Sequence, residues 1–232
     1  MILGTLGAMA AMVSGPQGKA MKFEGAYIKP ISIEYMLDLP KDYATSGRSY
    51  PLLLFLHGAG ERGSDLRQVR VHGPAKMIDA GMDIPMIVVS PQCPADQWWD
   101  AEVLSRLVDA IQVTHRVDPS RLYVTGLSMG GYGTWDLIGR FPGRFAAAAP
   151  ICGGGNPALA RNMADVPLWV VHGDKDEAVR LPESERMVEA VKRSGGTVRF
   201  DVIKDGGHDV WTDFYADPKV YEWLLSQRRT LR

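Results

Sequence analysis

The chain has 232 residues and a formal net charge of −1 at pH 7, and 46% of its residues are hydrophobic while 23% are charged. A globular chain of this length buries enough surface to hold a core without a metal or disulfide staple. Near-neutral charge without a block of lysine and arginine argues against nucleic-acid partners, and no run after residue 20 is long and apolar enough to span a membrane. Cys93 and Cys152 form neither a C-x-x-C pair nor a ligand cluster with histidine, so no metal site is predicted and one disulfide is left open.

Residues 1–20 are rich in alanine, glycine and methionine. Their apolar run, residues 6–13, is too short to span a bilayer, and Lys19 follows it, whereas a signal peptide has its basic residues first. We therefore interpret residues 1–20 as a flexible tail or a degraded leader and residues 21–232 as a single catalytic domain. Without a convincing signal peptide, the cytoplasm is favoured over secretion.

Apolar runs and helical patterns alternate from residue 31 onward. Residues 31–39 alternate like a half-exposed strand, and residues 51–56 (PLLLFL) are typical of a central buried strand. Further apolar runs follow at residues 85–90, 121–125, 145–151, 167–171 and 197–203. Two stretches between them carry apolar side chains at helical spacing, namely Leu104, Leu107, Val108 and Ile111 in the first and Met187, Val188 and Val191 in the second.

Strands separated by helices are joined by right-handed crossovers and form a mostly parallel sheet. The predicted fold class is therefore α/β, with a doubly wound central sheet and helices on both faces. The two leading strands are expected to form an antiparallel N-terminal edge. In such a sheet ligands bind at the carboxyl ends of the strands, so the residues just after each apolar run are the candidates for chemistry.

The run at residues 121–125 leads into Gly126-Leu127-Ser128-Met129-Gly130, a G-x-S-x-G pattern between a predicted strand and a predicted helix. An abrupt strand-to-helix turn forces the central serine into a strained backbone conformation, and the flanking glycines relieve the clash. The hydroxyl of Ser128 would then project at a helix N-terminus, which favours developing negative charge. We predict that Ser128 is a nucleophile; the alternative is a glycine-rich turn capped by a serine.

A serine nucleophile needs a base, and the base needs an acid that orients it. His208 follows the last predicted strand in a flexible Gly206-Gly207 loop, from which an imidazole can reach across the top of the sheet, so we predict His208 as the base. His57 and His172 each precede a glycine at a strand end, where packed structural histidines are common. For the acid, the strand at residues 167–171 is followed by both Asp174 and Asp176, and spacing alone does not choose between them.

The order serine, aspartate, histidine is that of the α/β-hydrolases. With Leu56-His57-Gly58-Ala59-Gly60, the serine pattern, residues 172–179 (HGDKDEAV) and Gly207-His208, the chain from about residue 21 resembles the carboxylesterase and dienelactone-hydrolase-like branch of that superfamily. Residues 57–63 (HGAGERG) and 90–94 (SPQCP) are similar to a bacterial group described as predicted peptidases or phospholipase/carboxylesterase-like. The resemblance implies that Asp176 is the acid and Asp174 a loop-shaping neighbour, and it implies no cofactor.

Acyl transfer also needs two backbone N–H groups that meet the negative oxygen of the tetrahedral intermediate. One is predicted at Met129, the residue after the nucleophile. The resemblance places the other in the loop after the buried strand, at Ala59, with Gly60 as the next choice.

Residues 58–63 also fit the dinucleotide fingerprint G-x-G-x-x-G, and Asp79 lies 21 residues after Gly58. In that fingerprint the glycines open a helix directly, whereas Gly63-Ser64-Asp65 and Gly73-Pro74 keep this chain broken. We therefore reject the dinucleotide interpretation.

Trp98 and Trp99 follow the strand at residues 85–90 and could line the substrate pocket or pack under the next helix. Pro167 lies only 15 positions after Cys152, so no large cap is expected. The resulting prediction is serine-dependent hydrolysis of small to medium carboxylic esters through an acyl-enzyme. The alternatives are a serine peptidase of the same fold and a catalytically silent binding protein.

Overall fold

A computed structural model describes residues 30–231, so the segment at residues 1–20 lies outside the described residues. Within this range seven strands form one sheet in the order β1-β3-β2-β4-β5-β6-β7. Their bounds are β1 Tyr35–Asp38, β2 Tyr50–Leu56, β3 Ile87–Pro91, β4 Val117–Leu127, β5 Ala147–Ile151, β6 Leu168–Gly173 and β7 Val198–Ile203. The residues from Ser32 onward form one compact unit.

The α-helices are α1 Tyr43–Ser46, α2 Gly73–Asp79, α3 Ala101–Thr114, α4 Met129–Arg140, α5 Pro182–Arg193, α6 Trp211–Ala216 and α7 Pro218–Ser226. Short 3-10 segments lie at Ala59–Glu61, Leu66–Arg70 and Pro157–Met163. The two stretches with helical spacing fall in α3 and α5, and their apolar residues are buried as expected. No helix in residues 30–231 combines the length and the apolar composition that crossing a membrane requires.

The predicted mostly parallel sheet with an antiparallel edge is confirmed, with one correction. β1 pairs with β3 in antiparallel fashion, and the other strand pairs are parallel. The expectation that both leading strands are antiparallel is wrong, because β2 lies between β3 and β4 and runs parallel to both. The reason is burial: the continuous apolar run of β2 is buried at every residue, which an interior strand covered on both faces allows, whereas the half-exposed β1 suits the edge.

Helices cover both faces of the sheet, and alternate side chains of each strand enter one of two cores. In β2, Leu52, Leu54 and Leu56 enter the core formed with α3, α4 and α5, while Leu53 and Phe55 enter the core formed with α2, α6 and α7. This division follows from the two-residue period of a strand. The sheet is therefore fixed from both sides, and the carboxyl ends of its parallel strands meet at one edge.

Candidate active site

Ser128 occupies the turn between β4 and α4 with φ 54° and ψ −117°, a conformation that is strained for a residue with a side chain. Its N–H donates to the Ile151 carbonyl at 2.9 Å, which anchors the turn to β5. A Cβ atom on Gly126 would overlap the Gly130 carbonyl, and one on Gly130 would overlap the Leu56 carbonyl. The glycines of the G-x-S-x-G pattern are thus required by backbone-to-backbone contact.

The structure brings the three residues of the predicted triad together. The Nε2 atom of His208 lies 2.9 Å from the Oγ of Ser128, and its Nδ1 lies 2.7 Å from Oδ2 of Asp176. A carboxylate accepts, so Nδ1–H donates to Asp176, and Nε2 is left to accept the serine proton. Asp174, the alternative acid, is exposed, and its N–H donates to the Ile203 carbonyl.

The Asp176 carboxylate is held by further donors. Its Oδ1 accepts the N–H groups of Ala178 at 2.9 Å and Val179 at 2.8 Å. Burial by itself would raise the pKa of the Asp176 carboxyl, but the hydrogen bond from His208, the Val179 N–H and the charges of His208 and His172 outweigh it, so the pKa lies below its usual value. Asp176 is therefore ionised and aligned at neutral pH.

His172 is a second imidazole beside Asp176, at a strand end where the sequence predicts only a packed structural histidine. Its Nε2 lies 2.7 Å from the Val179 carbonyl and 3.3 Å from Oδ2 of Asp176, and its Nδ1 lies 2.7 Å from the Oγ of Ser184. The ring is completely buried. His172 thus ties the loop that carries Asp176 to α5.

His57 supports the loop after β2. Its Nδ1–H donates to the Gly58 carbonyl at 2.6 Å, and its Nε2 accepts the Cys93 N–H at 3.0 Å. Burial lowers the pKa of His57 to about 4, with a smaller contribution of the same sign from the charge of Arg62. His57 is therefore neutral, which is the state that one donated and one accepted hydrogen bond require.

The two predicted oxyanion donors are the backbone N–H groups of Ala59, in the loop after β2, and of Met129, directly after Ser128. Met129 is the first residue of α4 and Ala59 the first of a 3-10 segment, so neither N–H has an acceptor within its own helix. A Cβ on Gly58 would be 3.6 Å from the Cβ of Ser128, so the loop passes directly beside the serine. Gln92, which the sequence interpretation did not assign a role, secures this loop by donating to the Glu61 carbonyl at 2.8 Å.

The two tryptophans have different environments. Trp99 is 8% exposed, its ring centroid lies 4.7 Å from that of His57, and its Nε1–H donates to the His57 carbonyl at 3.2 Å. This burial makes Trp99 a support for the loop and argues against a direct contact with substrate. Trp98 is 63% exposed and meets Tyr132 edge-on at 6.0 Å, at a cavity of about 230 Å³ that Asn156 also lines.

Cys152, His172 and Asp176 place their ligand-type atoms within 4.8 Å of one another, a proximity that sequence spacing did not reveal. Each of them already has a partner, because the Cys152 thiol donates to the His208 carbonyl and the other two are engaged as described. Burial and the charge of Asp176 raise the pKa of the Cys152 thiol to about 12, which disfavours the thiolate that binds metals. Both cysteines are free thiols, so the disulfide left open by the sequence is not present.

Two solved esterase structures are similar to this chain. A crystal structure of a thermostable esterase matches with a TM-score of 0.74 at 34% identity over 85% of this chain and 60% of that chain. The structure of esterase PE8 matches with a TM-score of 0.65 at 20% identity over 84% of this chain and 99% of that chain, which supports the fold. The architecture is the α/β-hydrolase fold.

Two curated proteins are similar over part of their length. The bifunctional acetylxylan esterase/xylanase XynS20E of Neocallimastix patriciarum is 27% identical over 58% of this chain, which spans 20% of that protein. Esterase Rv1288 of Mycobacterium tuberculosis is 31% identical over 56% of this chain, which spans 31% of that protein. The model of the dienelactone hydrolase family matches residues 94–216, more than half of the sequence. The chain therefore belongs to the dienelactone hydrolase family.

Proposed function

We propose that this chain hydrolyses small to medium carboxylic esters through an acyl-enzyme, with Ser128 as nucleophile, His208 as base and Asp176 as the acid that orients the imidazole. The observation that carries the proposal is the continuous hydrogen-bonded row from the serine Oγ through both ring nitrogens to the carboxylate, with contacts of 2.9 and 2.7 Å. A row of this kind is the arrangement that activates a serine hydroxyl.

In the proposed reaction the Oγ of Ser128 attacks the acyl carbonyl while Nε2 of His208 takes its proton. Asp176 stabilises the imidazolium that forms, and the N–H groups of Met129 and Ala59 meet the negative oxygen of the tetrahedral intermediate. His208 then returns the proton to the leaving alcohol, and water repeats the sequence to release the acid. The residues supply this chemistry without a cofactor.

Family membership and the likeness to esterases support ester bonds as the target. A serine peptidase of the same mechanism is supported more weakly, by structural likeness to acylaminoacyl peptidases and by a short stretch of similarity to an acylamino-acid-releasing enzyme. A silent binding protein is disfavoured because the row from Ser128 to Asp176 is intact.

Substrate size follows from what covers the site. The connection between β5 and β6 holds only the 3-10 segment Pro157–Met163 and short loops, so it adds no large cap. An uncapped site cannot bury a long acyl chain, and each buried methylene would contribute about 0.8 kcal/mol. Trp98 is the exposed aromatic side chain that we propose as a contact for the substrate at the rim.

The first experiment measures turnover of nitrophenyl butyrate by Ser128→Ala. We expect a loss of roughly 10⁴- to 10⁶-fold with an unchanged Tm, because removing one member of a triad disables the whole unit. Ser226→Ala, at the far end of α7, is the matched control and should retain full activity. A fluorophosphonate adduct on another serine, or near-normal turnover by Ser128→Ala, would contradict the assignment.

A further inference from the structure

Trp98 presents an exposed indole at a small cavity. The side chain is 63% exposed, and the cavity has a volume of about 230 Å³. Trp99, Tyr132, Asp136 and Asn156 line it together with Trp98, and we call it the Trp98 cavity. Pockets for drug-sized ligands measure about 300 to 1,000 Å³, so the Trp98 cavity has room for little more than a single ring.

The Trp98 cavity lies at the same edge of the sheet as the candidate nucleophile. Trp98 follows β3, Tyr132 belongs to the start of α4 after β4, and Asn156 follows β5. The carboxyl ends of parallel strands meet at this edge, and ligands of open α/β sheets bind there. The N–H of Tyr132 donates to the Ser128 carbonyl at 3.1 Å, so one turn of α4 separates the cavity from the nucleophile.

Helix α4 also sets the length of the link between the two. At 1.5 Å per residue, Tyr132 lies about 6 Å and Asp136 about 12 Å from Ser128 along the helix axis. A ring joined to an ester carbonyl carbon through two atoms has its centre about 5 Å from that carbon, whereas a directly joined ring has its centre about 3 Å away. A two-atom link therefore brings a ring to the near end of the Trp98 cavity.

The indole of Trp98 is held in place before any ligand binds. Its ring meets that of Tyr132 at 6.0 Å and 87°, which is a preferred edge-to-face arrangement. The Tyr132 hydroxyl donates to Oε2 of Glu183 at 3.4 Å. Burial raises the pKa of this hydroxyl, and the charges of Glu183 and Asp176 raise it further, so Tyr132 stays neutral. Trp98 is thus an oriented aromatic surface that remains open to solvent.

The polar acceptors of the Trp98 cavity are already engaged within the chain. Both carboxylate oxygens of Asp136 accept the Nε–H of Arg140, at 2.7 and 2.8 Å. Oδ1 of Asn156 accepts the N–H of Ala158 at 3.0 Å. A sugar hydroxyl would have to compete with these bonds, whereas an aromatic ring needs only the open face of the indole. The cavity therefore favours a planar aromatic ring over a sugar.

We propose that the Trp98 cavity is a subsite for an aromatic ring carried two atoms from the ester carbonyl, so that the preferred substrates are esters of arylalkanoic acids or of arylmethyl alcohols. The inference rests on the proposed function, because the ring is placed by a carbonyl held at Ser128. The ring stacks on the exposed face of Trp98 and buries apolar surface against it. The same contact can come from the acid or from the alcohol part, and the experiment separates the two.

The test measures kcat/KM for methyl 3-phenylpropanoate, which carries the ring on the acid, and for benzyl acetate, which carries it on the alcohol. Each value is divided by kcat/KM for methyl butyrate, which has no ring. We expect Trp98→Ala to lower this ratio about 5- to 50-fold for one of the two ring esters, because loss of an aromatic stacking partner has effects of this size. The ester that responds identifies the part of the substrate that enters the cavity.

Two further variants separate stacking from apolar contact in general. Trp98→Phe keeps an aromatic face and should stay within about threefold of the wild-type ratio, whereas Trp98→Leu is apolar without such a face and should lose nearly as much as Trp98→Ala. Val113→Ala, at an exposed apolar residue near the end of α3, is the matched control and should keep the wild-type ratio. Methyl benzoate, whose ring is joined directly, should give a ratio that does not depend on Trp98.

Wild-type ratios in Trp98→Ala for both ring esters, or in Trp98→Leu, would overturn the subsite and leave the proposed function standing. An equal fall for methyl benzoate would overturn the two-atom link. The absence of turnover on every ester together with no fluorophosphonate adduct at Ser128 would instead contradict the proposed function.

Discussion

The two halves of the site are held in place by different forces. On the nucleophile side, at the ends of β2 and β4, backbone atoms touch backbone atoms: Gly126 and Gly130 leave no room for a Cβ, and Ser128 is strained between them. On the base side, at the ends of β6 and β7, side-chain hydrogen bonds hold Asp176 and His208. Close packing makes Gly126 and Gly130 intolerant of added volume. The backbone of the base side is as tight at one point, because a Cβ on Gly173 would lie 2.3 Å from the Gly206 and Gly207 carbonyl oxygens, but the Asp176 and His208 side chains are oriented by which atoms donate and accept.

The base side also lies in a more open part of the fold. β7 is an edge strand whose residues are half-buried or exposed, while β2 and the end of β4 are buried throughout. The imidazole of His208 is 27% exposed, and the carboxylate that orients it is fully buried. The imidazole is thus held by the buried Asp176 carboxylate and by the edge-on Trp211 ring, whose centroid lies 5.0 Å from that of His208.

The largest effect on stability is expected from adding one methyl group on the nucleophile side. Gly130→Ala forces the Leu56 and His57 carbonyls to move, because the new Cβ would overlap the first and lie 2.7 Å from the second. We expect destabilisation of more than about 3 kcal/mol, or no soluble protein. This destabilisation is measured as the difference in the free energy of unfolding between Gly130→Ala and the wild type in urea.

The control for this change lies on the base side. A Cβ on Gly207, next to His208, meets nothing within 4 Å, so Gly207→Ala should unfold at nearly the wild-type urea concentration. Equal stability of the two alanine variants would show that the backbone contact at Gly130 does not limit added volume.

The next effect probes hydrogen bonding on the base side. Asp176→Asn keeps an acceptor for the Ala178 and Val179 N–H groups but loses the carboxylate that receives Nδ1–H of His208. The imidazole then adopts the wrong tautomer, and we expect kcat to fall by roughly 10⁴-fold with little change in Tm. Asp174→Asn, two residues away and exposed, should remain within about twofold of wild type, as surface changes usually do. Comparable losses in both variants would reject Asp176 as the acid.

The smallest expected effect is a change in the pH dependence of the free energy of unfolding, and it arises from His57 on the nucleophile side. Burial lowers the pKa of His57 from 6.5 to about 4, so between these values the unfolded chain binds the proton that the folded chain excludes. The contribution of His57 is therefore complete above about pH 6.5 and is lost as the pH falls towards 4, a change of about 3 kcal/mol. His57→Gln should flatten the free energy of unfolding over this window.

His115→Gln is the control for this measurement, because His115 is partly exposed at the end of α3 and its replacement should leave the wild-type slope unchanged. Asp176 also loses stabilising interactions on acidification, but it is present in both variants and cancels in the comparison. A wild-type slope in His57→Gln would show that the buried imidazole is not the group that titrates.

Local sequence patterns predicted those parts of the site for which sterics allow only one backbone arrangement. The G-x-S-x-G pattern predicts a strained serine because only glycines fit beside it, and the Gly206-Gly207 loop predicts a histidine that can reach it. The choice of Asp176 over Asp174 needed the family resemblance, since both follow the same strand. The sequence does not show which of Trp98 and Trp99 is buried, because the burial of adjacent residues depends on which residues from other segments pack against each of them.

The sequence by itself determined the alternation of strands and helices and the chain order of the predicted triad residues, because both follow from local hydrophobic periodicity and from turn residues. Only the tertiary structure decided that β2 runs parallel to both of its neighbours, that Gln92 and His172 brace the site, and that Oε2 of Glu61 has no hydrogen-bond partner among the described residues. These relations join residues tens of positions apart, and the atoms that satisfy or leave unsatisfied a buried polar group belong to distant segments. No local sequence pattern specifies which distant atom will lie next to a buried polar group. The hydrogen bonds of the site could therefore be identified only from the folded structure.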